Sequence, residues 1–124
     1  MKQKFTLLPM RLSRIVLLVA LAAAAGCSRA PVITVQNQSS QTLSNVVVSG
    51  SGFTNRIESI AAGGKHRLTV RPSGDSGLRL VFDAGTQHVD SGSQGYFEAG
   101  GGYRVTATVD TNLGIAIVSD LRRF

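Results

Sequence analysis

From Val32 onward, apolar and polar residues alternate in short runs separated by Gly-, Ser- and Asn-rich breaks. A period of two residues marks strands with one buried face, whereas an amphipathic helix repeats every ~3.6 residues. The runs are rich in β-branched residues, as strands are. Val32–Val35 is the first, closed by the turn-forming Asn37-Gln38-Ser39-Ser40. Asn45–Ser49 follows, with Val46 and Val48 on one face and Val47 on the other. Gly50-Ser51-Gly52 breaks it, Phe53–Ile60 resumes, and Ala61-Ala62-Gly63-Gly64 turns the chain, because glycine reaches positive φ without steric cost. His66–Arg71 places Leu68 and Val70 inward. After the turn chemistry of Pro72–Gly77, Leu78, Leu80 and Phe82 alternate with Arg79, Val81 and Asp83. A short polar strand spans Thr86–Asp90 with only Val89 inward, and Tyr96–Glu98 leads to Gly100-Gly101-Gly102. In the next run Tyr103, Val105, Ala107 and Val109 share a face, and Leu113–Val118 is last. No window past Val32 shows a helical apolar stripe. The expectation is an all-β domain, a sandwich of about seven to nine short antiparallel strands with the outer face of each sheet wet.

The segment before Cys27 follows a different grammar. Lys2, Lys4, Arg11 and Arg14 precede the uninterrupted apolar run Ile15–Ala25, and Gly26-Cys27 follows. A basic segment, a short apolar run and small residues before a break make a secretory signal peptide. A spanning helix needs roughly 20 apolar residues, more than this run supplies. Met10 offers a second, more compact start with the same mature chain. The signal also changes the charge picture. The formal net charge of +6 would point to nucleic acid. With the four basic residues of the signal gone, nine of the thirteen Lys/Arg remain against seven Asp/Glu, a net of +2. That is an ordinary surface, and no nucleic-acid partner is expected. The 124 residues are enough for one domain beyond the signal. A single cysteine excludes an internal disulfide and every multi-cysteine metal site. The expected organisation is a signal peptide over 1–26, a modified N-terminus and short tether over 27–31, a β-sandwich over 32–120 and a tail over 121–124.

Ala24-Ala25-Gly26-Cys27 resembles the lipobox of bacterial lipoproteins. The resemblance covers the chain as far as Cys27, with Ala24 standing where that family prefers Leu. It implies cleavage before Cys27, lipid on its sulfur and acylation of its amine. Signal peptidase I cleavage at Ala23-Ala24-Ala25 is the competing outcome. Two or more chains at ~0.8 kcal/mol per buried CH₂ hold a protein stably on a membrane, whereas a single chain binds marginally. Ser28, rather than Asp, after the cysteine implies sorting to the outer membrane, facing the periplasm, in a two-membrane host. Ser28–Pro31 can span at most ~14 Å, so the domain rides close to the bilayer.

A second resemblance lies in Val35-Gln36-Asn37-Gln38-Ser39, Leu43-Ser44-Asn45-Val46-Val47-Val48, Ile57–Gly64 and Leu68-Thr69-Val70. These segments are similar to the immunoglobulin-like, CARDB-type domains of bacterial envelope proteins, with Ala62 in place of that pattern's proline. The likeness covers about half of the mature chain. It implies an immunoglobulin-like sandwich and a binding role.

Few side chains point to chemistry. Gly74-Asp75-Ser76-Gly77 matches the tetrapeptide around the nucleophile of trypsin-like proteases, but Leu78 replaces the next glycine and no Asp lies between His66 and Asp75. Four turn-forming residues account for the segment, because a catalytic motif needs its context. Thr86, His88 and Asp90 fall on one strand face, too few ligands for a closed metal site, so neither metal nor cofactor is expected. The outward Arg67, Arg71, Arg79 and Arg104 form a candidate basic patch for headgroups, phosphates or an acidic protein if their strands are neighbours, with Arg71 and Arg79 flanking one loop. Scattered solvated charges are the plainer account of the same residues. Ser91–Tyr96 resembles the inserting loop of periplasmic lysozyme inhibitors, without that family's cysteines. The sequence thus points to a non-enzymatic, membrane-anchored envelope lipoprotein with a protein partner, the alternative being an inhibitor of a cell-wall-lytic enzyme.

Overall fold

A computed structural model describes residues 29–121. The expected signal peptide, Cys27 and the last three residues lie outside that range. The described chain contains no helix and forms nine strands. These are β1 (Val32–Asn37), β2 (Leu43–Gly50), β3 (Phe53–Ile60), β4 (Lys65–Thr69), β5 (Ser76–Ala84), β6 (Gln87–Asp90), β7 (Gln94–Phe97), β8 (Tyr103–Val109) and β9 (Ile115–Leu121). One sheet has the order β4-β1-β8-β9. The other runs β3-β2-β5-β6, and β7 also pairs with β5. β6 and β7 lie in series along one edge of β5: Val81–Ala84 pair with β6, whereas Ser76 and Leu78 pair with β7.

The alternation in sequence becomes burial. Leu78, Leu80, Phe82 and Ala84 of β5 are closed from solvent, as are Val105, Ala107 and Val109 of β8 and Ile33 and Val35 of β1. Val46 and Val48 face them from β2, and Phe53 and Phe97 meet at 6.2 Å between ring centroids at the end where β3 begins. Every buried hydrophobic residue of the described chain lies between Ile33 and Leu113, and together they form one core enclosed by the two sheets.

The all-antiparallel expectation needs correction. Six of the seven strand pairings are antiparallel, but β1 and β8 run parallel with Ile33 opposite Val105 and Val35 opposite Ala107. Alternation is a property of one strand and carries no information on the direction of its neighbour. The parallel pairing reaches back beyond β1, through a bridge between Arg29 and Gly101 and a bond from the Gly102 amide to the Arg29 carbonyl at 3.1 Å. The expected tether is therefore pinned to the domain from Arg29 onward.

A buried polar residue locks the opposite end. Asn37, at the end of β1, is 1% exposed. Its Nδ2 donates to the carbonyls of Gln41, Ile60 and Ala61 at 2.7, 3.1 and 3.1 Å. Its Oδ1 accepts from the Ser39 amide and hydroxyl at 3.0 and 2.6 Å. One side chain thus ties the first sheet to the end of β3, the first strand of the second.

Candidate functional site

The four candidate arginines do not come together. Arg67 on β4 lies opposite Thr34, and Arg104 on β8 lies opposite Val32, so these two share the wet face of the first sheet with β1 between them. Arg104 stands across from Asp120 of β9. Arg79 belongs to the other sheet, where its Nε donates to Asp90 Oδ1 at 2.9 Å and its Nη2 to Asp90 Oδ2. This fork raises the guanidinium pKa and, with a 2.9 Å bond from the Gly92 amide, holds the Asp90 carboxyl well below the usual carboxylate range. Arg71 lies past β4, at a cleft of about 420 Å³ that it lines with Pro31, Pro72 and Gly100. Arg71 and Arg79 do flank one loop in sequence, but that loop crosses from one sheet to the other.

The nucleophile-like tetrapeptide is structural. Ser76 is 4% exposed. Its hydroxyl accepts from the Ser51 amide at 3.0 Å and donates to the Gly77 carbonyl at 2.7 Å, which staples the β2–β3 turn to the start of β5. A Cβ at Gly50 would stand 2.4 Å from that hydroxyl, so the staple requires glycine there. The would-be metal face is likewise engaged: Thr86 lies in the turn before β6, His88 bonds Asp83, and Asp90 holds Arg79. Among the described residues no three His, Cys, Asp or Glu side chains are grouped to hold a metal ion. Ser91–Ser93 does not project as a loop. Its Ser91 amide donates to the Leu80 carbonyl at 2.9 Å and its hydroxyl accepts from the Leu80 amide at 2.8 Å, which hold the segment down on β5.

The arrangement that alternation did not reveal lies on the wet face of the second sheet. Between Ser44 and Val47 the register of β2 against β5 shifts, and Asn45 sits there with φ 48°. Three steps on β2 match two on β5, which is a β-bulge, and asparagine tolerates left-handed backbone better than most residues. The bulge turns the Asn45 amide along the face. Its Oδ1 accepts from Arg56 Nη2 of β3 at 2.9 Å, and its Nδ2 donates to Asp83 Oδ2 of β5 at 3.1 Å. Asp83 Oδ1 meets His88 Nδ1 of β6 at 2.7 Å. The bonds from His88 and then Asn45 lower the Asp83 pKa. Arg56, Asn45, Asp83 and His88 therefore form an exposed polar chain across four strands, with Glu58 beside it. It contains no Ser, Thr, Cys or Lys side chain. It presents ordered donors and charges, which suits recognition of a polar surface. The one signal in the sequence was an asparagine at the head of a valine-rich run.

No family model matches the chain, and no curated protein matches it significantly. Among solved structures it is similar to a protein from Eubacterium rectale determined by NMR, with 11% identity and a TM-score of 0.54. The alignment covers 77% of this chain and 93% of that one. At this identity the likeness shows the fold alone: an all-β domain of two sheets.

Proposed function

We propose that the protein is a lipid-anchored lipoprotein of the bacterial envelope whose immunoglobulin-like domain serves as a non-enzymatic binding or structural module. The observation that carries this reading is Cys27, the sole cysteine, placed directly after Ala24-Ala25-Gly26 at the end of the apolar run. The structure adds support from the other side. The chain is already pinned by its backbone at Arg29, so only Ser28 separates the proposed lipidated residue from the domain. That link spans at most ~7 Å, which keeps the end bearing the Arg71 cleft against the headgroups. The Arg56–Asn45–Asp83–His88 face, on the flank of the sandwich, remains open to a protein partner in the envelope.

Fractionation of cells that express the wild type and Cys27→Ala tests the anchor. The wild type stays in the membrane fraction through a high-salt wash and incorporates labelled palmitate. The variant loses the label and leaves the membrane. A Cys27→Ala protein that stays membrane-bound after the wash refutes the proposal.

A further inference from the structure

The large exposed hydrophobic residues of the described chain are Tyr96 on β7 and Val118 and Leu121 on β9, the last two on opposite faces of their strand. β9 is also a sheet edge, hydrogen-bonded only to β8. The other edges carry the usual protection against pairing with another chain. β4 presents Lys65, His66 and Arg67, β3 carries Arg56 and Glu58, and β6 and β7, which share the remaining edge, are only four residues long each, β6 with His88 and Asp90. β9 reads IAIVSDL, with no lysine, no proline and one charge, Asp120, which faces Arg104 across the pair.

The hydrogen-bond phase of this edge can be worked out. The Asp110 amide bonds the Gly114 carbonyl at 2.9 Å, and the ladder continues from that turn through Val109 opposite Ile115. Antiparallel pairs alternate between bonded and unbonded, so Thr108–Ala116, Thr106–Val118 and Arg104–Asp120 are the bonded ones. The main-chain groups of Ile115, Ile117, Ser119 and Leu121 consequently point outward from the sheet.

We propose that this edge pairs with the same edge of a second copy, antiparallel about a two-fold axis through Val118. Val118 is the midpoint of the strand, so only this register overlaps its full length. It sets Ile117 opposite Ser119 and Ile115 opposite Leu121 of the second copy, and these are the residues whose main-chain groups are free to bond. Val118 meets its own counterpart in an unbonded pair, where Cα atoms approach to ~4.5 Å and side chains touch most closely. Asp120 falls opposite Ala116, so no like charges meet. The two four-stranded sheets become one continuous sheet, and Ile115 of the second copy covers the exposed Leu121. The interface is isologous, as a two-fold pairing demands.

The test uses the full chain with Cys27→Ser, so that each introduced cysteine is the only thiol. Val118→Cys, Ala116→Cys and Asp120→Cys are each oxidised with copper–phenanthroline. The pairing brings only position 118 within disulfide reach of itself, since a disulfide needs Cα atoms ~4.4–6.8 Å apart. Val118→Cys is expected to give a cross-linked dimer, and the other two are expected to cross-link only when mixed with each other. Sedimentation should show a dimer that Val118→Lys converts to a monomer with an unchanged far-UV spectrum. Association through the segment preceding Arg29 gives no position-specific pattern. Equal cross-linking at all three positions, none at 118, or a wild type monomeric at high micromolar concentration overturns the proposal.

Discussion

Replacing Asn37 by alanine removes a cross-link between the sheets. The side chain makes three donor contacts with two hydrogens, so one hydrogen is shared, and it accepts two more bonds. That is equivalent to about four hydrogen bonds, each contributing ~0.5–1.5 kcal/mol net. Some of the loss is recovered. The Ser39 hydroxyl keeps its 3.1 Å bond to the Gln41 carbonyl, and Gln41 and Ala61 are exposed enough for water to reach their carbonyls. The Ile60 carbonyl is the one left deepest. We expect a cost of about 3 kcal/mol, at the upper end of the ordinary range for a single substitution. For a domain of this size that lowers the melting temperature by roughly 12–24 °C. The assay is urea unfolding of Asn37→Ala beside Gln38→Ala, whose exposed side chain makes no bond in the structure and should cost under ~0.5 kcal/mol. Asn37→Asp sharpens the test. A carboxylate facing three carbonyls has its folded pKa raised above the unfolded value of about 3.9. The variant therefore gains relative stability below that pH and loses it as pH rises through the folded pKa. Equal midpoints for Asn37→Ala and Gln38→Ala would refute the cross-link.

Phe82 is fully closed from solvent, so Phe82→Ala should cost about 3–5 kcal/mol in the same assay, and a loss under ~0.5 kcal/mol would mean that the faces of β5 are misassigned. The Asp90 carboxyl should titrate below the usual carboxylate range by NMR, and Arg79→Gln should bring it back up. Because its folded pKa is depressed, Asp90's contribution to stability is present above the unfolded pKa and is lost as pH falls through the folded one, and Arg79→Gln should flatten that part of the acid transition. Gly95→Ala should destabilise the domain by about 1–3 kcal/mol, since φ is +74° and the new methyl would lie 3.2 Å from Ile117 Cγ2 and 3.3 Å from Ser119 Oγ. Hydrogen exchange should show the loosening confined to β7 and β9, and an unchanged midpoint would argue against their close packing.

Much of this fold could be read along the chain. Strand and core face are set by local alternation, and the steric logic of the pleat converts Leu78-Arg79-Leu80-Val81-Phe82 or Val105-Thr106-Ala107-Thr108-Val109 directly into buried and half-buried or exposed positions. The turns were equally local, since Gly52, Gly63 and Gly102 sit at the positive φ that glycine allows. The sequence by itself also carries the proposed anchor, because a lipobox resemblance is a matter of adjacent residues. What it left open depends on which strands meet. Arg71 and Arg79 are eight residues apart, but Arg71 lies in the loop past β4 and Arg79 in the second sheet, so no patch of four arginines forms. Asn37 looked like a turn residue and became a bond between chain segments more than twenty residues apart. Asn45 looked like the start of a strand and became the bulge that aims a polar chain across four strands. The parallel join of β1 to β8 and the unprotected edge of β9 arise the same way. Pairing partner, direction and edge are properties of two strands at once, and a period-two pattern, however clear, specifies one strand at a time.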